Sequence, residues 1–376
     1  MAEPLKHFFD RSVIRAIADS LHAVYPALEP RAFVAECLDG LDDLELMARG
    51  GHIAEVMRRH LPQDFAAAAD VIVRSLPAPP ERAEPTERAE ESSMTPFRYL
   101  PHVVYVARHG LGDFEAAMRA QYELTKRFTA EFSIRAYLIA HPERTYARLR
   151  LWATDLSVHV RRLVSEGTRP RLPWAPRLRA FQEDPTPVIE LLELLKDDPE
   201  RYVQRSVANN LNDIAKDHPD VAVAVCRRWA VDAPPGRAWI VGHALRSLVK
   251  RGHPGALAVL GFSAEPEVHI AAVRLSPQEV KVGGTLQFSF ELASRAARAQ
   301  ELLVDYAVHF VKASGARRPK VFKLRRVELA PGERVRLSGR VSFADLTTRT
   351  PRPGGHLIEV IVNGRTYPLG DFEVRR

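Results

Sequence analysis

The sequence predicts a multidomain chain, an α-solenoid of HEAT-like helical repeats followed by an all-β immunoglobulin-like sandwich. Three observations carry this reading. Helix-start signals recur through the first two thirds of the chain, apolar spacing switches from helical to strictly alternating near Glu265, and turn residues then punctuate a series of short strands. At 376 residues the chain is also too long for one hydrophobic core.

Residues 1–76 read as short amphipathic helices that form the N-terminal segment of the solenoid. Val13, Ile14, Ile17, Leu21 and Val24, for example, fall on one side of a helix. Residues 77–96 form a Pro/Glu-rich linker or loop. Its PAPPERAEPTERAEESS stretch holds almost no apolar side chain and is too polar to pack. From 97 to 262 a proline opens a helix again and again, at His141-Pro142, Asp184-Pro185, Asp198-Pro199, His218-Pro219 and His253-Pro254. Helices with a β-branched residue one or two positions before an arginine follow, at Ile134-Arg135, Val160-Arg161 and Val203-Gln204-Arg205. The loose spacing is that of two-helix repeats of ~40 residues. Such repeats stack into a solenoid with a long concave surface.

Residues 265–376 read as the sandwich. Thr285 to Leu292 alternate polar and apolar, as do Val304, Tyr306, Val308 and Phe310 with their neighbours. Asn363-Gly364 is a strong hairpin turn. About seven short strands in ~110 residues fit an immunoglobulin-like fold.

Charge is distributed unevenly. The whole chain carries +7, and residues 265–376, with 19 Lys and Arg against 12 Asp and Glu, hold all of it. Within the neutral remainder, residues 144–179 gather nine arginines against Asp155 and Glu166 alone. Two basic regions suit a polyanion better than a small metabolite, although solvated surface reads the same way from charge alone. No apolar run approaches the ~18 residues of a membrane span, and the N-terminus lacks a signal-peptide pattern. Only Cys37 and Cys226 occur, which excludes a disulfide framework and points to a reducing cytoplasm.

Four stretches resemble the AlkC family of DNA alkylation repair glycosylases. They are FRYLPHVVYVARHGLGDFE (97–115), LTKRFTAEFSIRAYL (124–138), LWATDLSVHVRRLVSEGTRPRLPW (151–174) and RSVANNLNDIAKDHP (205–219). Ala136 and Tyr137 depart from the Phe and Pro expected there. The resemblance spans residues 1–262, and the tail is similar to one carried by part of the family. It implies a solenoid that cradles double-stranded DNA and excises 3-methyladenine, with 3-methylcytosine and 1-methyladenine as further substrates, holding the lesion largely in the duplex. It implies catalytic roles for Glu131, Glu166 and Asp213, with Trp152 and Trp174 as aromatic contacts to the lesion. No cofactor and no metal are implied, and a monomer is expected, nucleoid-associated when bound to DNA.

The residues support that chemistry in their own terms. Methylation at N3 makes the base cationic and a good leaving group, so the enzyme must stabilise an oxocarbenium-like sugar and place a water, as carboxylates do in glycoside hydrolysis. Indole faces attract the same cation. Each candidate also has a plainer reading. Spacing alone pairs Glu131 with Arg135 as an i,i+4 surface pair. Glu166 precedes an apparent helix stop at Gly167, the dipole end where an acid is disfavoured, so it is either screened by the nearby arginines or functional. Asp213 and Asn209 fall away from the core stripe Val203, Val207, Leu211 and Ile214, toward a groove or toward solvent. Trp152 fits a core as well as a ligand, whereas Trp174 stands in a proline-flanked loop. Asp155 is a supporting acid or the cap of the helix starting near Ser157. Arg161, Arg162, Arg169 and Arg171 are candidate phosphate contacts, as are Arg317, Arg318 and Lys320 in the turn-like SGARRPK of the tail.

HExxH, P-loop and dinucleotide fingerprints are absent, and two distant cysteines exclude a cysteine zinc site. Two other functions fit the same architecture, a non-catalytic helical-repeat scaffold and a protein that recognises damaged DNA without cutting it. A scaffold has no need of three acids pointing at one place.

Overall fold

The computed structural model describes residues 5–79, 95–345 and 351–376. The expected linker at 77–96 lies mostly outside the described residues. The chain divides into two compact units, one of residues 5–218 with 232–244, the other of 219–231 with 245–376.

The first unit is helical. Its elements are α1 (Arg11–Val24), α2 (Pro30–Leu38), α3 (Leu46–His60), α4 (Phe65–Ser75), α5 (Leu100–His109), α6 (Phe114–Thr125), α7 (Ile134–Ala140), α8 (Pro142–Trp152), α9 (Val158–Gly167), α10 (Arg179–Glu183), α11 (Thr186–Leu195) and α12 (Arg201–Asp217). A further helix, α14 (Pro235–Ala244), packs on α12. Asp10, Asp64 and Asp113 cap α1, α4 and α6 by accepting from the backbone N–H three residues on. Pro142 opens α8 with no lost hydrogen bond, as the sequence predicts. Helices touch both the next and the next-but-one, as in α3 with α5, α4 with α6 and α5 with α7. That is the packing of stacked helix pairs, and it buries the apolar stripe of each helix twice over. On α12 the buried stripe is Val203, Val207, Leu211 and Ile214, as the spacing predicts. No described helix is long and apolar enough to cross a membrane.

The second unit combines α13 (Pro219–Ala230), α15 (Arg246–Lys250) and α16 (Pro254–Val259) with eight strands among the described residues. The strands are β1 (Val268–Ser276), β2 (Glu279–Lys281), β3 (Thr285–Ser294), β4 (Gln300–Val311), β5 (Arg317–Leu329), β6 (Arg334–Ser342), β7 (Gly354–Val362) and β8 (Arg365–Arg375). They form a three-stranded sheet, β1-β3-β6, and a five-stranded sheet, β2-β8-β7-β4-β5. Alternating side chains from both, including Phe288, Phe290, Val304, Val308, Phe310, Ile358 and Val360, fill the core between them. Each such side chain contributes about 1.5–3 kcal/mol when fully buried.

Asn363 and Gly364 join β7 to β8, and both adopt positive φ, 47° and 82°, as a type I′ turn requires. SGARRPK, in contrast, is not one turn. The turn occupies Lys312 to Ala316, and Arg317 already opens β5 at the edge of its sheet. Pro319 is tolerated there because an edge strand leaves one side of its ladder unpaired.

Candidate active site

Four segments of the first unit meet around a hollow of about 540 Å³. The turn before α7 supplies Thr129, Glu131 and Phe132. The face of α9 supplies Arg162 and Glu166, the loop after it Arg169 and Trp174, and α12 supplies Tyr202, Arg205, Ser206 and Asn209. Phe97 and Phe128 complete an aromatic wall, with Phe97 edge-on to both Phe128 and Trp174 at centroid distances of 5.2 and 6.3 Å.

The acids are tied together by arginines. Glu131 is not a helical partner of Arg135, because α7 begins only at Ile134. Instead its Oε2 accepts from Thr129 Oγ1 at 2.8 Å and from Arg162 Nη1 at 2.9 Å. Arg162 Nη2 lies 3.7 Å from Glu166 Oε1, and its guanidinium stacks over the Tyr202 ring at 4.7 Å. Glu166 Oε1 also accepts from Arg169 Nη1 at 2.7 Å, and its Oε2 from Ser206 Oγ at 2.6 Å. Arg169 then reaches across with Nε to Asp213 Oδ2 at 2.8 Å, while Lys216 Nζ donates to Asp213 Oδ1 at 2.7 Å. Glu131, Arg162, Glu166, Arg169 and Asp213 thus form one continuous chain of alternating charge.

Electrostatics in this chain are set by burial against pairing. Burial pushes the Glu166 carboxyl upward, but Arg162, Arg169 and the Ser206 hydroxyl outweigh it and hold Glu166 below the ordinary carboxylate range. The same partnership raises Arg169 above its ordinary value against the effect of its own burial. Glu166 does lie in the last turn of α9, which runs on through Gly167, and the two guanidiniums supply the screening that the helix dipole denies it.

The other residues singled out in the sequence fall as follows. Asn209 and Trp174 line the hollow. Trp174 is 59% exposed and sits at φ 62°, a left-handed conformation unusual for a bulky residue. Asp213 is 1% exposed and stands behind Arg169 rather than on the wall, so solvent exposure does not describe it. Trp152 is buried against Tyr122 and lines a different hollow, beside Arg119 and Arg148. Asp155 accepts from the Ser157 N–H at 2.7 Å and from the Tyr122 hydroxyl, and touches neither Glu166 nor Asp213. Arg161 is bound by Asp198, with Nε 2.6 Å from Oδ2, and Arg171 by Asp217, with Nε 2.8 Å from Oδ2. All four arginines of 161–171 therefore hold carboxylates, most of them supplied by Glu131, Asp198, Asp213 and Asp217 from outside the arginine-rich segment.

In the second unit Arg317 pairs with Asp371, Lys320 lies over the Phe322 ring, and Arg318 is exposed without an ion pair among the described residues. A further basic surface went unread in the sequence. Arg274 and Arg340 flank a hollow of about 400 Å³ on the outer face of the three-stranded sheet, floored by Ser289, Ser338 and Gly339. The polar half of the β3 alternation, Gln287 and Ser289, was its signal. In the first unit the missed residues are Phe97, Phe128, Thr129 and Phe132 and, on α12, Tyr202, Arg205 and Ser206. Those on α12 continue the Asn209–Asp213 stripe toward the start of the helix at three- and four-residue steps.

The fold and the site define a class, the HEAT-like helical solenoid with an acid-and-arginine hollow beside an exposed tryptophan that also carries an immunoglobulin-like domain. Residues 269–376 match the family model described as "Uncharacterised protein YhaZ, C-terminal Ig-like domain". The chain is 33% identical over 374 residues, 98% of its length and 99% of the relative's, to "Uncharacterized protein YhaZ" of Bacillus subtilis (strain 168). It is similar along its whole length, at 36% identity and a TM-score of 0.89, to the whole of Pseudomonas fluorescens alkylpurine DNA glycosylase AlkC, solved bound to DNA containing an abasic site analog. The chain belongs to the AlkC family, YhaZ-type immunoglobulin-like domain included.

Proposed function

We propose that this chain is a DNA glycosylase that hydrolyses the N-glycosidic bond of cationic alkylated bases, 3-methyladenine first, with 3-methylcytosine and 1-methyladenine as further substrates. The observation that carries this reading is the convergence of Glu131 and Glu166 on one hollow, beside an exposed indole, in a chain similar throughout to an alkylpurine DNA glycosylase. Asp213 belongs to the same ion-pair chain through Arg169.

The roles follow from charge. The ionised Glu166 stabilises the positive sugar as the bond to the base lengthens, and Glu131 at the mouth orients the attacking water. Trp174 offers its face to the cationic base. Asp213 holds Arg169, and through it Glu166, in place. The base departs neutral, so no acid has to protonate it. Trp152, Asp155, Arg161 and Arg171 support the surrounding helices. We assign the chemistry to the repeats of 97–262, with 1–76 extending the solenoid. Residues 265–376 contribute phosphate contacts through Arg318 and Lys320, while Arg317 is held by Asp371. The chain works as a monomer in the cytoplasm, on the nucleoid when bound to DNA.

The test is excision from a duplex treated with a methylating agent, read as free base by chromatography and as abasic sites by alkaline strand cleavage. Release of 3-methyladenine is expected. Tight binding to the methylated duplex without release would replace this reading with damage recognition, and absence of both would leave a scaffold.

A further inference from the structure

Arg135 is buried at 3% exposure, yet it has no carboxylate within ion-pair distance among the described residues. Its guanidinium is spent on backbone carbonyls. Nη1 donates to Gly167 O at 3.0 Å and Arg169 O at 2.7 Å, and Nη2 donates to Pro176 O at 2.5 Å. Burial lowers its pKa to about 10. Glu131 and Asp213 act on Arg135 only from beyond ion-pair distance, so its burial is costly, and the gain is geometric.

The three carbonyls bracket the loop that leaves α9. Between them lie the two side chains that complete the hollow from this side. Arg169 bridges Glu166 and Asp213, and Trp174 is held at φ 62° with its ring exposed. Released from the clamp, Trp174 would relax toward the ordinary negative φ of a bulky residue, and the indole would turn away from Phe97. Only a planar fork reaches both ends of the loop at once; an ammonium is a point donor and satisfies one end.

We propose that Arg135 is a positioning residue for bond cleavage, clamping the two ends of the 167–176 loop and thereby setting Arg169 on its two acids and Trp174 over the hollow. The proposal rests on the glycosylase reading for its kinetic consequence, but its structural half is measured independently of activity.

The experiment uses the full chain labelled with 5-fluorotryptophan, in which the four tryptophans give four fluorine resonances. Trp174→Phe assigns the resonance of Trp174. In Arg135→Lys that resonance should shift and broaden, while those of the buried Trp152 and Trp229 stay in place. Single-turnover excision of 3-methyladenine should fall about 10- to 100-fold, the scale of a small misplacement of catalytic groups. Affinity for undamaged duplex should change by less than about threefold, because no phosphate contact is altered. An unchanged Trp174 resonance with excision within about twofold of wild type would overturn the clamp. Collapse of all four resonances would overturn it too, by marking Arg135 as a determinant of the whole fold. If the wild-type chain excises nothing, the glycosylase reading fails, while the fluorine spectrum still decides the clamp.

Discussion

Three groups converge on the carboxylate of Glu166: Arg162, Arg169 and the Ser206 hydroxyl. They keep it charged although it is 5% exposed, and a preorganised buried charge is worth more to a developing cation than one in water. Glu166→Gln should therefore slow excision by about 100-fold or more. Asp213→Asn should act in the same direction but less, through a loosened Arg169. Binding to undamaged duplex should hold or strengthen, since each change removes a negative charge. Amide variants with wild-type single-turnover rates would mark both acids as structural. The sign of the pH effect follows from the lowered Glu166 pKa. The carboxylate is ionised throughout the neutral range, and its contribution is lost only as pH falls below its ordinary 4.5. A wild-type acid limb centred near pH 6–7 would exclude Glu166 as the group responsible. At this scale the sequence singled out two acids that meet at one hollow, Glu131 and Glu166, but not their partners. The Glu131–Arg135 spacing suggested a surface pair, because nothing in a linear pattern shows that the helix starts three residues too late for it.

Elements were legible where one physical rule dominates. The α12 stripe follows from 3.6-residue periodicity, and the β3 and β4 alternation from the two-residue period of a strand. The Asn363-Gly364 turn follows from the positive φ that both residues tolerate. What surrounds an element was not legible. Trp152 is core because Tyr122, distant in sequence, packs on it. Arg317 to Lys320 form an edge strand because β4 extends to Val311 and pairs with them. The turn at Asn363 shows how much such context decides. Asn363 Nδ2 donates to Ser263 O at 2.9 Å, its Oδ1 accepts from Leu303 N at 2.7 Å, and a Cβ added at Gly364 would lie 2.1 Å from Gly252 Cα. Both the left-handed φ of 82° and the backbone approach exclude a side chain there. Gly364→Ala should cost about 2 kcal/mol or more, well above the ~1 kcal/mol of an ordinary left-handed alanine, read as a lowered Tm or denaturation midpoint. A loss within ~0.5 kcal/mol would mean that the two turns part freely.

Over the whole molecule the positive charge divides into paired and unpaired sets. The arginines of 161–171 are each bound to an acid and add little to the outer potential. The excess of +7 sits in residues 265–376, where Arg318 and Lys320 project from an edge strand and Arg274 and Arg340 flank a hollow on the other sheet. A polyanion would be met there by cations without acid partners, which is what phosphate contact requires. Deleting the tail at residue 264 would be a poor test. Gly252 packs against Gly364, Phe262 lies under Arg326, and Ser263 binds Asn363, so the cut would strip partners from what remains. Point changes in the full chain avoid that damage. Arg318→Ala with Lys320→Ala should weaken binding to any duplex, damaged or not. The slope of log affinity against log salt should flatten by about 1.8, at ~0.9 for each phosphate released. Arg274→Ala with Arg340→Ala reports on the other face in the same titration. Single-turnover excision at saturating protein should be unchanged in both pairs, since neither touches the hollow beside Glu166. If neither pair alters affinity or salt slope, the charge serves only to keep a small β domain in solution, and the DNA contact belongs entirely to the helical repeats.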